Sequence, residues 1–101
     1  MKVKEMRELV SSLQKEGALA NKTVEFVVDT KKLFVEDIKA GVDTMAFSVT
    51  RDNFRTLTID ELNNALDTAR GDLDVEVLVG KNRKAVTGTY CGPTALELLV
   101  E

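Results

Sequence analysis

One segment of this chain is written twice, and the repetition constrains the fold more than any other feature. Val3, Met6, Leu9, Val10 and Leu13 precede a loop and then Val24-Glu25-Phe26-Val27-Val28. Ile59, Leu62, Ala65, Leu66 and Ala69 precede a shorter loop and then Val75-Glu76-Val77-Leu78-Val79. The apolar steps are the same in both copies, and Glu5 matches Glu61 as Glu25 matches Glu76. A repeat of this length names a supersecondary unit that cannot bury its apolar face alone. With 101 residues in all, two independent cores would each be marginal. The expectation is one domain, 1–101, whose half-repeats 1–50 and 57–101 share a core.

Apolar spacing gives the elements. Val3 to Lys15 carries Met6, Leu9, Val10 and Leu13 on one face and reads as a helix, with Gly17 as its stop. Lys22 to Asp29 alternates as a strand. Asp29 to Lys32 is a turn, Leu33 to Ile38 a second strand, Ala40 to Asp43 a turn, and Met45 to Val49 a third strand. A polar linker from Thr50 to Thr56 follows, with Asp52-Asn53 its turn. Thr58 with Glu61 three residues on forms a capping-box pattern, and Leu57 with Leu62 a hydrophobic staple. These start a second helix that ends near Arg70 and Gly71. Val75 to Val79, a turn at Gly80 to Arg83, and Lys84 to Tyr90 come next, then a turn at Gly92-Pro93. Residues Thr94 to Val100 suit a helix by propensity. The repeat and the alternation of Leu96, Leu98 and Val100 favour a strand. The expected architecture is α+β: two layers, a mostly antiparallel sheet with two helices on one face, and a tandem αβββ repeat.

Function classes are narrowed by what the residues do not supply. The chain has no histidine, which removes Ser-His and Cys-His nucleophiles and imidazole metal sites. Its one cysteine, Cys91, permits no intramolecular disulfide and no thiolate cluster. Within Gly88-Thr89-Tyr90-Cys91-Gly92-Pro93 it is expected to be a buried cysteine beside a strand turn rather than a nucleophile. The carboxylates show no calcium-loop spacing. The reading is therefore no enzyme, no catalytic residue, no metal and no cofactor. Net charge is −3, the wrong sign for a nucleic-acid binder. No apolar run approaches a membrane span, and no signal peptide is expected. These point to the cytoplasm.

Two basic turns fall at matching places in the repeat: Lys31 and Lys32 in the first half, and Lys81, Arg83 and Lys84 in the second. They are the candidate binding residues, suited to an acidic protein patch or to an anionic small molecule such as a nucleotide. Three-stranded units also leave free edges, which favour a homo-oligomer.

The opening Met1-Lys2-Val3-Lys4-Glu5-Met6-Arg7-Glu8-Leu9, followed by Val24-Glu25-Phe26-Val27-Val28, resembles small phage- and prophage-encoded proteins that begin with a Lys-Val-x-Glu-Leu type helix. Leu57-Thr58-Ile59-Asp60-Glu61-Leu62 resembles the same opening. The likeness covers about 30 residues in each half, and the chain lacks the Asp-Pro-rich connection after the first helix. The resemblance implies a mobile-element setting in a bacterial host, not a mechanism. The leading expectation is a non-enzymatic protein that binds a host or phage protein as inhibitor or accessory. The alternative is a binder that sequesters an anionic ligand through the basic hairpin tips.

Overall fold

The computed structural model describes residues 1–15, 22–52, 57–92 and 94–101. Gly17, Asn53 and Pro93, named above as a helix stop and as turn residues, lie outside them. Helix α1 spans Val3–Lys15, followed by strands β1 (Thr23–Val28), β2 (Lys31–Ala40) and β3 (Thr44–Thr50). Helix α2 spans Ile59–Asp67, followed by β4 (Asp74–Val79), β5 (Asn82–Cys91) and β6 (Ala95–Val100). The order is thus αβββ twice, and the last segment is a strand.

The expected two-layer sheet is not what forms. The six strands close into a barrel in sequence order, β6 returning to β1. Antiparallel hairpins supply four of the six pairings. The two seams between the halves are parallel: β1 with β6, and β3 with β4. In β1, β3 and β4 the inward residues are aliphatic or Phe and alternate with partly exposed ones. Two separate three-stranded units would leave unpaired backbone along β1, β3, β4 and β6; the two parallel seams pair these edges within the chain. The edges that suggested a homo-oligomer are therefore paired intramolecularly.

The repeat is realised as a two-fold relation about the barrel axis. Thr23 pairs with Ala95 in one seam and Asp74 with Thr44 in the other, so each strand position maps to one 51 residues away (23 to 74, 44 to 95). The β-bulges obey the same shift, lying between Val35 and Asp37 and between Val86 and Gly88. So do the turns closed by Gly41 N–H to Thr44 O (2.7 Å) and Gly92 N–H to Ala95 O (2.9 Å).

Each helix starts on the other half's first strand. Val3 N–H donates to Leu73 O at 2.9 Å and Ile59 N–H to Lys22 O at 3.0 Å. Val75 N–H donates to Met1 O at 2.9 Å and Val24 N–H to Leu57 O at 2.8 Å. The glutamates matched in the sequence do matched work here. Glu5 Oε1 accepts from Lys2 N–H at 3.0 Å, and Glu61 Oε1 from Thr58 N–H at 3.2 Å. Thr58 Oγ1 accepts from Glu61 N–H in return, completing the capping box.

Both helices enter and leave at the barrel end where β1 and β4 begin, and they pack on each other there. Arg7 of α1 reaches across to α2, donating from Nη2 to Leu66 O and Ala69 O, each at 2.7 Å. It supplies the positive charge that the last turn of α2 lacks. Lys2 Nζ and Asp74 Oδ1 lie 2.9 Å apart at this end. Their hydrogen bond, then their mutual attraction, holds the Asp74 carboxyl below its ordinary range and raises the Lys2 amine.

The core is one cluster drawn from both halves. Val3, Met6 and Val10 of α1 and Ile59, Leu62 and Leu66 of α2 close the barrel end over Phe26, Phe47, Val77 and Leu98. Phe26 and Phe47 meet at its centre, ring centroids 5.7 Å apart.

Candidate functional site

The helices close one end of the barrel, and among the described residues no helix covers the other. The pairing directions make β1, β3, β4 and β6 all finish there. The two hairpin tips, Asp29-Thr30 and Gly80-Lys81, therefore emerge side by side with the last residues of β3 and β6. Asp29 and Thr30 both have positive φ (50° and 66°), the backbone of a tight hairpin that matches strand twist. Gly80, at φ 63°, adopts it at the equivalent place without a side-chain cost.

All five candidate basic residues lie at this end, but they divide into two sets. Lys32 and Arg83 face outward and are engaged. Lys32 Nζ sits 3.5 Å from Glu25 Oε2, near enough for an ion pair without forming a hydrogen bond, and Arg83 Nη1 sits 3.9 Å from Glu76 Oε2. These equivalent cross-strand pairs account for the matched Glu25 and Glu76, and they leave little cationic charge free on the outer wall. The side chains of Lys31, Lys81 and Lys84 make no hydrogen bond or ion pair among the described residues. Arg51, just past β3, is likewise unpaired and exposed. The sequence reasoning missed it, because only the direction of β3 brings it to the tips.

The tips border a cleft of about 300 Å³. Val28, Leu33, Val49 and Val79 form its apolar lining, and Asp29, Lys31, Thr50, Arg51 and Gly80 stand around them. Val28 and Val79 are two-fold equivalents, as are Asp29 and Gly80, and the other described lining residues come from β2 and the end of β3, so the cleft lies toward the first half of this barrel end. Barrel mouths of this kind, apolar below and polar at the rim, are where barrels take up ligands.

The two-fold relation fails in one informative strand. Lys84 pairs with the buried Val77, as Leu33 pairs with the buried Phe26, so both occupy inward register. Leu33 is buried and Lys84 only partly so. Along the inward face of β5, Asn82, Lys84, Val86 and Thr89 stand where β2 has Lys31, Leu33, Val35 and Ile38. The second half thus carries a lysine where the fold accepts a leucine.

No known protein family, curated protein or solved structure matches the chain. What the site does rests on its own chemistry. Among the described residues, no group of three or more Cys, Asp or Glu lies close enough to hold a metal ion, and no helix is long and apolar enough to cross a membrane. Cys91, expected to be buried, is instead exposed at the end of β5, away from the mouth. A second cleft of about 190 Å³ beside the β2 bulge has Val35, Glu36, Asp37, Ile38 and Leu57 in its lining, and among the described residues its charged groups are both carboxylates. Among the described residues, the mouth brings unpaired cations beside an apolar cleft.

Proposed function

We propose that this is a non-enzymatic binding protein that engages an acidic surface of a partner protein through the open end of its barrel. One observation carries the reading: Lys31, Arg51, Lys81 and Lys84, drawn from both halves, stand unpaired around one mouth while the other end is closed by helices. A rim of free cations speeds encounter with an acidic patch, and an apolar floor beside it supplies buried area. The setting proposed with it is a phage or prophage gene expressed in the bacterial cytoplasm, following the resemblance of the opening segment. There the protein acts as inhibitor or accessory.

The reading is tested by recovery of partners from a bacterial lysate at low salt. The immobilised wild type should retain a discrete partner that Arg51→Glu/Lys81→Glu does not, and moderate salt should release it. Equal recovery by wild type and variant, or no partner at all, contradicts it.

A further inference from the structure

The mouth cleft carries a more specific chemistry than a charged rim. Its floor is Val28, Leu33, Val49 and Val79, inward-facing residues that continue the core upward and stop short of filling the barrel's end. Among the described residues its cations are Lys31, at the start of β2, and Arg51, just past the end of the adjacent antiparallel β3. Lys31 is opposite Val28 in the ladder and so lies on the inward register at the very end of the barrel. Arg51 follows Thr50, which pairs with Phe34. Among the described residues, Asp29 is the one carboxylate in the lining. Two cations against one carboxylate leave the rim net positive, suited to a monoanion.

From this we infer that the cleft binds a small amphiphilic organic anion, a carboxylate or sulfonate carried on a compact apolar body. The apolar body covers Val28, Leu33, Val49 and Val79, and the head lies between Lys31 and Arg51. An apolar molecule without charge leaves the two cations unsatisfied. A bare inorganic anion leaves the floor in water, and each loses one of the two contributions. The inference deepens the proposed function, resting on the same open end and naming what the mouth itself accepts.

The test uses 1-anilinonaphthalene-8-sulfonate and its uncharged analogue N-phenyl-1-naphthylamine, both read by fluorescence, with inorganic phosphate and decanoate as competitors. The folded wild type should bind the sulfonate saturably at one site and the uncharged analogue at least roughly tenfold more weakly. Decanoate should displace the sulfonate, and phosphate at equal concentration should not. In Lys31→Ala/Arg51→Ala, two exposed positions outside the core, the preference for the sulfonate should vanish. Methyl chemical shifts of Val28, Leu33, Val49 and Val79 should move on titration while those of Val10 and Leu66 at the helical end stay fixed. Equal affinity for the two dyes, displacement by phosphate, an unchanged double variant, or shifts at the helical end would each overturn the inference. Dye binding without a charge-sensitive partner sinks the protein-partner reading alone. A charge-sensitive partner without dye binding sinks this inference alone.

Discussion

Replacing Phe47 by Ala should destabilise the protein by about 3–5 kcal/mol, the range for removing a fully buried phenylalanine. Phe47 lies on β3 between Ile38 of β2 and Val77 of β4, so it packs across both an antiparallel pair and a parallel seam. Its ring meets Phe26 of β1, two strands away around the barrel. With so few aromatics in the chain, nothing nearby is large enough to fill the space it leaves. Domains of this size hold roughly 5–15 kcal/mol in total, so the variant should sit close to its unfolding threshold. Urea denaturation monitored by circular dichroism measures the loss. Thermal unfolding should fall by roughly 4–8 °C for each kcal/mol. A change below about 1 kcal/mol would mean that the two rings do not form the centre of a closed core.

The Lys84→Leu variant should move stability the other way while weakening binding. Leu33 shows that the fold accepts a buried leucine at this register, and Lys84 holds the equivalent place with an unpaired amine. Leucine should add about 1–2 kcal/mol by burying apolar surface that the lysine stem covers only in part. The same change removes one of the mouth's free cations, so recovery of an acidic partner should drop. Stability that rises as function falls marks a residue kept for its charge. Lys84→Arg keeps the charge and should retain the partner. If Lys84→Leu destabilises the protein, Lys84 is not at an inward position and the two halves do not correspond in β5. If it stabilises the protein and binding is unchanged, the lysine has no part in the site.

How far the fold could be read without coordinates follows from what each pattern encodes. The spacing of Val3, Met6, Val10 and Leu13 is a helix face, and α1 occupies Val3–Lys15 as expected. Thr58 and Glu61 announce α2 because the capping box is local chemistry, complete within four residues. Alternation shows that Val24, Phe26 and Val28 face inward, but not which strand lies beside them. That is why an open two-layer sheet was expected. The parallel seams join residues about 30 to 70 positions apart, through α2 in one case and around nearly the whole chain in the other. No turn residue records such pairing. The helices were expected on one face of a sheet for the same reason; closure turns that face into an end.

The site was legible to the same degree. The basic turns at Lys31 and Lys81 stand out as local composition, and their equivalence comes from the repeat. That they share one end depends on strand direction, as does the arrival of Arg51. The pairing of Lys32 with Glu25 and of Arg83 with Glu76 takes two of the five candidates out of the mouth. Cross-strand register decides this, and neither hairpin's sequence states it.

Closure underlies the shared end, the mouth and the role given to Lys84. The most direct test is the set of backbone nuclear Overhauser contacts between β1 and β6. The account predicts a parallel ladder following Val24 with Leu96, Phe26 with Leu98 and Val28 with Val100. A matching ladder should run along Met45 with Val75, Phe47 with Val77 and Val49 with Val79. Amides of β1 and β6 should be protected from exchange as in a sheet interior. Absence of the β1–β6 ladder, with those amides exchanging as free edges, would contradict the barrel and with it the single binding mouth.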